Sequence, residues 1–567
     1  MKQLFSLFLF LACLSCAEPD KPNFSETDEA LFFEPAVSSV THEATQVGIE
    51  ILKNGGNAFD AAVAIQFALA VTYPRAGNLG GGGFAVISTS DGRTNSIDFR
   101  EKAPLLATKN MYCDASGELI KDKSILGALA AGVPGTVSGM WHLHKKYGSL
   151  TWNELIMPSV KLARNGFTIS RLEAIKLNES KVLFDQVNPG QIGPFFKEQF
   201  EEGDTLIQEK LAKTLQLLAD SGISVFYGGQ VGEKMVNDIQ DAGGIITKAD
   251  LEKYEAVFRA PVEGWLGTHR VISMGPPSSG GVALIQLLNG AQMIHSAGLG
   301  HNSAANLHLY TEMMRRVYAD RTTHLGDPDF HPVPVEKLVH PEYLMERYRT
   351  IDLKGKTNSE DIKAGKAERI ESYETTHFSV LDREGNAVSM TVTLNSSYGC
   401  KLWLPSVGFF LNNEMDDFVA KKGVANQFGL LGGSANAIEP EKRMLSSMTP
   451  TIILDENKPI LILGTPGGST IITTVFQVIM NVMEFDMPLQ EAIDVGRIHH
   501  QWQPDYIAIE KGKISAKAEN DLRALGHMVI PIESLGIVNA IQVNVAGKTF
   551  AAADTTRYMG SAIVLAQ

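Results

Sequence analysis

The sequence YETTHFSV, residues Tyr373–Val380, places two threonines between a charged segment and a run typical of a β-strand. Threonine favours strands, so one interpretation of Thr375 is simply the start of a strand. A second interpretation is chemical. If the chain is cut between Glu374 and Thr375, the threonine gains a free α-amino group with a pKa of about 8. That amine can accept the proton of the neighbouring hydroxyl and turn a weak nucleophile into an active one.

The sequence after Glu374 has the pattern of paired strands separated by turns such as Asp382–Asn386. The predicted strands cover residues 377–381, 387–394, 449–454, 460–463, 506–510 and 537–545. The glycine-rich residues 464–469 lead into a predicted helix over residues 470–484.

Helices dominate the sequence before Glu374. They are predicted over residues 43–53, 59–71 and 303–322, and residues 150–260 are mostly helical. The third of these helices carries Met313, Met314 and Val317 on its apolar stripe. A hairpin is predicted over residues 84–90 and 94–100, and the charged residues 350–372 predict an exposed segment. Helices combined with sheets favour a layered fold with the helices outside.

Composition excludes some classes of function. Hydrophobic residues make up 44 % of the 567 residues and charged residues 20 %, as in ordinary globular proteins. The net charge of −14 argues against nucleic acid as a partner, because phosphate binding needs clustered Lys and Arg. Neither a phosphate-binding loop nor a G-x-S-x-G nucleophile motif occurs. His499-His500 lacks a partner at metal-ligand spacing, which favours a structural or hydrogen-bonding pair over zinc.

The N-terminus has the pattern of an export signal. Lys2 precedes an apolar run, Leu4–Leu14, and small residues follow, so residues 1–16 are predicted to be a signal peptide. Cys16 is a candidate for lipidation, and a lipoprotein and a plainly secreted protein both fit. Residues 17–36 are predicted to be a linker. The remaining cysteines, Cys113 and Cys400, can form one disulfide or stay as two free thiols.

Four further segments carry residues suited to a reaction site, each with an ordinary alternative. Gly467-Gly468 precedes a helix, where free N–H groups can stabilise an oxyanion, although a tight turn also needs glycine. Arg100 can clamp a carboxylate or lie exposed on an edge strand. The cluster at residues 414–417 can hold an ammonium or be a solvated acidic loop. Ser446-Ser447 offers two hydroxyls in a turn.

Eight segments in this order resemble the γ-glutamyltranspeptidase, or glutathione hydrolase, family of N-terminal-nucleophile hydrolases. They are GNLGGGGF, DFREKAP, GPPSSGG, TTHFSV, NNEMDDF, KRMLSSMTPT, TPGGS and RIHHQW. The resemblance runs from about residue 37 to the end. It implies an α+β fold, a four-layer αββα sandwich. One precursor would cleave itself into a large subunit, residues 37–374, and a small catalytic subunit, residues 375–567, which together form a heterodimer.

The resemblance also implies a role for each residue. Thr375 would be the nucleophile both for cleavage after Glu374 and for turnover, and Thr393 would hold its hydroxyl. Gly467 and Gly468 would form the oxyanion hole. The implied ligands of the substrate carboxylate are Arg100, Ser446 and Ser447, and those of the ammonium are Asn395, Glu414 and Asp417. Substrates would be glutathione and other γ-glutamyl compounds, with water, amino acids or peptides as acceptors. No cofactor and no metal are implied.

The sequence departs from the family in places. Phe428, in the predicted lid GVANQFGLLGG, stands where many bacterial members have Tyr, so it cannot donate a hydroxyl hydrogen bond. The charged Glu374 is expected to slow maturation, and the ending DTTRYMGSA follows the family loosely. Two alternatives remain open. One is a glutaryl (cephalosporin) acylase of the same family, whose substrate lacks the α-ammonium. The other is an uncleaved, non-catalytic surface lipoprotein.

Overall fold

The computed structural model describes residues 33–359, 361–362, 375–421, 423–557 and 560–566. Within these ranges the strands are β1 Ala36–Ser39, β2 Gly82–Ser88, β3 Thr94–Asp98, β4 Phe167–Thr168, β5 Thr205–Leu206, β6 Val257–Arg259, β7 Val262–Leu266, β8 His269–Ser273, β9 Thr375–Leu381, β10 Ala387–Thr393, β11 Trp403–Leu404, β12 Phe409–Phe410, β13 Thr451–Asp455, β14 Lys458–Gly464, β15 Ile498–His499, β16 Ile507–Glu510, β17 Val529–Ile532, β18 Asn539–Val543, β19 Thr549–Ala553 and β20 Ser561–Val564.

The helices in the same ranges are α1 His42–Lys53, α2 Ala58–Thr72, α3 Thr136–Tyr147, α4 Trp152–Asn165, α5 Arg171–Val187, α6 Glu209–Ser221, α7 Ser224–Tyr227, α8 Gln230–Asp241, α9 Lys248–Glu252, α10 Gly280–Met293, α11 Ala304–His324, α12 Val335–Val339, α13 Pro341–Tyr348, α14 Ile471–Met483, α15 Leu489–Asp494 and α16 Ala516–Ala524. Short 3-10 turns lie at Ala128–Ala130, Ser296–Leu299, Glu414–Asp417, Ser434–Asn436 and Gly468–Thr470.

Two antiparallel sheets stacked face to face form the centre of the molecule. The first has seven strands in the order β20-β1-β9-β10-β2-β3-β6, and the second has six in the order β19-β18-β14-β13-β8-β7. Strands β9 and β10, in the middle of the first sheet, lie against β14 of the second, and β9 also contacts β18. The strand that begins at Thr375 is therefore covered by a sheet neighbour on both sides and by another layer on each face.

The sequence of β9 explains this position. Phe378 and Val380 point to one face and join the apolar cluster formed with α2. His377 and Ser379 point to the other face, where the Ser379 hydroxyl donates to the backbone oxygen of Asn539 at 3.2 Å. A Cβ at Gly464 would lie 2.4 Å from the His377 ring, so glycine there lets the two sheets approach closely. Polar groups thus fill the space between the sheets around His377 and Ser379, whereas Phe84 and Val86 of β2 join the apolar cluster of the second sheet.

Helices cover the outer faces of both sheets. On the first sheet they are α2 and α3, with α1 packed on α2, and on the second they are α10 and α14, with α11 packed on α10. Every residue of α2 is buried, because the helix is enclosed by the first sheet and the helices α1, α3 and α4. Its start is fixed by a capping box between Asn57 and Asp60. The predicted α+β fold, a four-layer αββα sandwich, is confirmed.

Each strand and helix predicted individually is present, with ends that differ by no more than a couple of residues. Three expectations need correction. The linker does not extend to residue 36, because Phe33 is buried and Ala36 begins β1. The segment 350–372 is not exposed throughout its described part, since Ser359 and Ile362 are buried. Arg100 does not belong to the hairpin strand, because β3 ends at Asp98.

Two further observations concern the described residues. Both Cys113 and Cys400 are free thiols, as one of the two alternatives predicted. None of the helices in these residues combines the length and the apolar character needed to cross a membrane. The predicted signal peptide with Cys16 lies outside the described residues.

Candidate active site

Strand pairing places Thr375 at the rim of the first sheet. It is the first residue of β9, and its partner across the ladder is Thr393, the last residue of β10. Thr375 is 6 % exposed and lines a pocket at this rim. The Thr393 hydroxyl accepts a 2.7 Å hydrogen bond from the backbone N–H of Asn395, which fixes the position of the Thr393 oxygen. Glu374, on the other side of the predicted cut, lies outside the described residues.

This pocket collects almost all the predicted site residues, although they come from distant parts of the sequence. The predicted residues in its lining are Arg100, Thr375, Thr393, Asn395, Glu414, Asp417, Phe428, Ser446, Ser447 and Gly468. Gly467 does not line the pocket itself but directly precedes Gly468.

Arg100 is buried and tightly paired. It is 1 % exposed, so the alternative of an exposed edge-strand arginine is wrong. Its Nη1 lies 2.6 Å from a Glu414 carboxylate oxygen, and its Nη2 lies 2.5 Å from Asp417. A third carboxylate, Glu101, is 3.6 Å from Nη1. The alternative of a solvated acidic loop also fails, because Glu414 is fully buried.

The guanidinium of Arg100 faces all three carboxylates, and burial is the main cause of the shifts in their pKa values. Burial disfavours the charged forms and raises the pKa of Glu101 to about 8, against the attraction of Arg100. Burial likewise raises the pKa of Glu414 well above its ordinary value and raises that of Asp417. For Arg100, burial works against the cation, but attraction by the carboxylates outweighs it and raises the pKa. A ligand ammonium would stabilise the charged carboxylates.

Asn395 is held beside these acids in an unusual backbone conformation. Its φ of 75° lies in the left-handed region, which asparagine tolerates better than most residues. Its side-chain NH₂ donates to the backbone oxygen of Asn413 at 3.0 Å. The amide oxygen is then the part of this side chain able to accept a hydrogen bond from a ligand.

The glycine pair forms a turn that side chains would disturb. Gly467 has φ 144° and Gly468 has φ 53°, both outside the usual range of residues with a Cβ. A Cβ on Gly467 would lie 2.5 Å from the Thr470 hydroxyl oxygen. No described residue accepts a hydrogen bond from either N–H group, and α14 begins at Ile471. Two backbone donors at the start of a helix are suited to stabilising a negative oxygen.

The serine pair is anchored by the GPPSSGG segment. The backbone N–H of Ser446 donates to the oxygen of Pro277 at 2.9 Å, and its own oxygen accepts from the N–H of Ser279 at 2.8 Å. The Ser446 hydroxyl oxygen accepts from the N–H of Met448 at 3.1 Å. The turn thus presents both hydroxyls to the pocket.

The sequence model of the family described as Gamma-glutamyltranspeptidase matches residues 44–564. The chain belongs to the γ-glutamyltranspeptidase family. It is 43 % identical over 554 residues to the glutathione hydrolase proenzyme of Escherichia coli K12, covering 96 % of this chain and 95 % of the relative. It is 36 % identical over 542 residues to the proenzyme of the same name from Bacillus subtilis 168, covering 92 % and 89 %.

Solved structures agree with this membership. The γ-glutamyltranspeptidase of Helicobacter pylori is 46 % identical, with a TM-score of 0.56, over 57 % of this chain and 94 % of the solved chain. The cephalosporin acylase of Bacillus halodurans has a TM-score of 0.79 over 97 % of this chain and 99 % of its own, at 22 % identity. The second likeness shows a shared fold and no more.

One residue of this γ-glutamyltranspeptidase pocket was not predicted from the sequence. Arg321, in the last turn of α11, is 4 % exposed and lines the pocket. Its Nε donates to the Ser279 hydroxyl at 3.0 Å and its Nη2 to the Ser447 hydroxyl at 3.1 Å. The sequence does carry a signal for its burial. Arg321 follows Met314 by seven residues and Val317 by four, so it lies on the same helical stripe that was predicted to be apolar.

Residues 423–433, the predicted lid, border the pocket in this chain. Phe428 is buried and lines the pocket, and its backbone oxygen accepts from the Gln501 amide at 3.0 Å. The Asn426 amide donates to Asp417 at 2.9 Å. The N–H of Gln427 donates to Asp416 at 3.0 Å. Asp416 and Asp417 therefore both hold the predicted lid, although only Asp417 lines the pocket.

The histidines of the RIHHQW segment have hydrogen-bonding roles. His499 lies 2.9 Å from the Thr473 hydroxyl and 2.9 Å from Gln501, the residue that holds the lid. His500 accepts a 2.9 Å bond from the N–H of Trp502 and lies 3.2 Å from Asp505. The prediction of a hydrogen-bonding pair is confirmed.

One other group of possible metal ligands occurs among the described residues, at His308, Glu312 and His527. Glu312 is already paired with Arg315 at 2.5 Å and Arg316 at 2.6 Å. Two guanidinium groups beside the carboxylate disfavour a further cation there.

Proposed function

We propose that the mature protein is a γ-glutamyl transferase and glutathione hydrolase, formed when the precursor cleaves its own Glu374–Thr375 bond. The observation that carries the proposal is the position of Thr375 at the start of β9, in one pocket with Arg100, two acids and a serine pair. Family membership and 43 % identity over almost the whole of a glutathione hydrolase proenzyme support it.

The pocket suits the head of a γ-glutamyl group, which carries an ammonium and a carboxylate on one carbon. Glu414, Asp417 and the amide oxygen of Asn395 are the acceptors for the ammonium. The donors for the carboxylate are the guanidinium of Arg100 and the hydroxyls of Ser446 and Ser447, which line the same pocket. A ligand that carries one positive and one negative charge adds no net charge to the buried pocket.

Thr375 performs the acyl transfer. Its hydroxyl oxygen attacks the γ-carbonyl carbon while its α-amino group takes the hydroxyl proton. The carbonyl oxygen becomes an oxyanion that the N–H groups of Gly467 and Gly468 stabilise. The C–N bond then breaks, the leaving amine takes the proton from the α-ammonium, and a γ-glutamyl ester remains on Thr375. Thr393, opposite Thr375 in the ladder, orients the hydroxyl.

The ester is released by a second nucleophile. Water, or the amine of an amino acid or peptide, gives its proton to the Thr375 amine and attacks the ester carbonyl. The ester C–O bond breaks and the threonine hydroxyl is restored. Water gives glutamate, and an amine gives a new γ-glutamyl compound. The resulting heterodimer of large and small subunits needs no cofactor for these steps.

Export is part of the proposal. The single Lys2, the apolar run Leu4–Leu14 and the following Cys16 support a signal peptide with either a lipid anchor or simple release. A periplasmic or surface protein would meet γ-glutamyl compounds from outside the cell. Labelling with a radioactive fatty acid, compared between the wild type and Cys16→Ser, separates the two forms.

Maturation gives the decisive test of the proposed function. Purified protein without residues 1–16 should show two bands on a denaturing gel. The smaller should be about 21 kDa, the share of the 61.6 kDa chain in residues 375–567, and should begin Thr-Thr-His-Phe. Thr375→Ala should remain one band and should not release p-nitroaniline from γ-glutamyl-p-nitroanilide. A wild-type chain that stays intact would favour the non-catalytic lipoprotein instead.

A further inference from the structure

Residues 350–359, near the end of the predicted large subunit, are fixed against the predicted small subunit. The ammonium of Lys356 lies 2.6 Å from a carboxylate oxygen of Asp505, and the Ser359 hydroxyl donates to the same oxygen. The backbone N–H of Lys356 donates to the backbone oxygen of Leu525 at 2.9 Å. After a cut before Thr375, these contacts would join the two subunits.

Asp505 is the centre of this junction. Its second oxygen lies 3.6 Å from the Arg315 guanidinium and 3.2 Å from Nε2 of His500. Because Nδ1 of His500 accepts from the N–H of Trp502, Nε2 carries the hydrogen and donates to Asp505. Burial works against the charged carboxylate, but the hydrogen bonds that Asp505 accepts outweigh it and lower its pKa. Asp505 is therefore a charged anchor for the 350–359 segment.

The loop that carries Asp505 also holds the predicted lid. This loop, residues 500–506, joins β15 to β16. Four residues before Asp505, the amide NH₂ of Gln501 donates to the backbone oxygen of Phe428 at 3.0 Å. The amide oxygen of Gln501 lies 2.9 Å from Nε2 of His499, which fixes the orientation of the amide. The 500–506 loop thus touches the 350–359 segment at one end and the lid at the other.

Trp502 makes the link between these two contacts stiff. Its side chain is 1 % exposed and joins the apolar cluster of the second sheet. Its φ of 68° lies in the left-handed region, which a bulky residue adopts only when its surroundings hold it there. The N–H of Gln503 also donates to the backbone oxygen of Gln501 at 2.9 Å. A displacement at Asp505 is therefore expected to reach Gln501.

We propose that Asp505 is a positioning residue for the lid, because it uses the docked 350–359 segment to hold the 500–506 loop where Gln501 reaches Phe428. A lid held in this way limits the access of water to the ester on Thr375 and favours transfer to an amine. The end of the large subunit thus keeps a role after the cut. The inference rests on the proposed function and adds a determinant of the acceptor.

Hydrogen-exchange mass spectrometry measures both contacts of the loop in one experiment. Lys356→Met removes the ammonium beside Asp505 and keeps the apolar part of the side chain. Exchange should rise in residues 350–359 and also in the lid, residues 423–433, by about 3- to 10-fold, as expected when one hydrogen-bonded contact is weakened. With glycylglycine as acceptor, the ratio of transfer to hydrolysis should fall a few-fold. If Lys356→Met does not fold, Ser359→Ala replaces it with the same expected directions.

Lys354→Met is the matched control. Lys354 lies in the same segment and is exposed, and its ammonium forms no ion pair with a described carboxylate. This variant should keep the wild-type exchange in the lid and the wild-type ratio of transfer to hydrolysis. Asp505→Asn should lower the ratio more than Lys356→Met does, and Asp505→Glu, which restores the negative charge, should recover part of it.

A double-mutant cycle separates positioning of the lid from a general loss of stability. Gln501→Ala should speed exchange in the lid but leave residues 350–359 unchanged. In that background Lys356→Met should add little to exchange in the lid, because the connection through Gln501 is already broken. Full additivity of the two changes, or faster exchange in the lid with an unchanged ratio of transfer to hydrolysis, would overturn the inference.

The same measurements distinguish failure of this inference from failure of the proposed function. If the wild type neither cleaves itself nor turns over γ-glutamyl-p-nitroanilide, the proposed function fails, and the role in acceptor choice fails with it. Exchange on the intact chain then still shows whether Asp505 positions the lid. If turnover is normal and exchange in the lid is unchanged in both Lys356→Met and Asp505→Asn, the proposed function stands and this inference fails.

Discussion

Thr375 and Thr393 face each other as the terminal pair of β9 and β10. The Thr393 hydroxyl is held by the N–H of Asn395, so the same short segment supplies both the neighbour of the proposed nucleophile and a proposed acceptor for the substrate ammonium. A small shift of this strand end would disturb both functions at once. The pairing register of the two strands is therefore a direct determinant of the proposed chemistry.

Thr393→Val should lower kcat about 10- to 100-fold, because valine keeps the strand and the side-chain shape but removes the hydroxyl beside Thr375. KM for γ-glutamyl-p-nitroanilide should change much less. Thr376→Val is the control, since the Thr376 hydroxyl has no described hydrogen-bond partner and points to the opposite face of β9. Steady-state kinetics on matured protein decides the matter. An unchanged kcat in Thr393→Val would remove Thr393 from the mechanism.

Asp417→Asn should discriminate between substrates with and without an ammonium. The change keeps the side-chain size and the contact with Asn426 but removes the negative charge that an ammonium requires. We expect KM for γ-glutamyl-p-nitroanilide to rise about 10- to 100-fold and KM for glutaryl-p-nitroanilide to change little. Equal effects on both compounds would contradict the assignment. A wild type that prefers the glutaryl compound would favour the acylase alternative.

Gly467→Ala should reduce kcat by about 100- to 1,000-fold, the loss usual when one oxyanion donor is misplaced. The added Cβ meets the Thr470 hydroxyl oxygen at 2.5 Å, and the φ of 144° is strained for alanine, so the N–H must move. Gly55→Ala is a suitable control, because Gly55 also has a positive φ, of 88°, but no atom lies within 4 Å of its added Cβ. The control should lower stability slightly and leave kcat unchanged. If both variants lose stability but keep the wild-type kcat, the glycine pair only shapes the turn and does not stabilise the oxyanion.

Local sequence signals predicted this fold most accurately. The strands on either side of Asp382–Asn386 and the helix after Gly468 follow from turn residues and β-branched runs close together in the chain. The partners of Arg100 could not be predicted in the same way, because Glu414 and Asp417 are more than 300 positions away. Arg321 was missed for a related reason: its role depends on how α11 packs against two loops, and its helical position alone predicts burial.

The pH dependence of stability should reveal the buried acid group. Burial raises the pKa of Glu101 from 4.5 to about 8, so the folded protein holds this proton more tightly than the unfolded chain does. A raised pKa stabilises the fold at low pH, and that contribution is lost as the pH rises from 4.5 to about 8. Glu101→Gln mimics the neutral acid and should therefore reduce the fall in Tm over this interval. Glu414 and Asp417 have the same sign, so part of the fall should remain. Identical Tm profiles for the two proteins would show that Glu101 does not titrate there.

Polar contacts at Gln427 hold the lid. Gln427 directly precedes Phe428, the residue that has no hydroxyl where many bacterial members have Tyr. The Ser396 hydroxyl donates to the Gln427 side chain at 2.6 Å, and Ser396 follows Asn395 directly. The Phe428 side chain offers the pocket only an apolar ring. The Gln427 side chain, together with the hydrogen bond from Asn426 to Asp417, ties the lid to the ammonium side of the pocket.

Gln427→Ala should admit more water to the γ-glutamyl ester. With glycylglycine as acceptor, the ratio of transfer to hydrolysis should fall a few-fold, the effect expected for one hydrogen bond of about 1 kcal/mol. Val424→Ala is the control, because Val424 lies in the same lid, is 41 % exposed and does not line the pocket. Product analysis should show the wild-type ratio for Val424→Ala, and limited proteolysis should cut residues 423–433 faster in Gln427→Ala. An unchanged ratio together with faster proteolysis would show that the lid moves without controlling access of water to the ester.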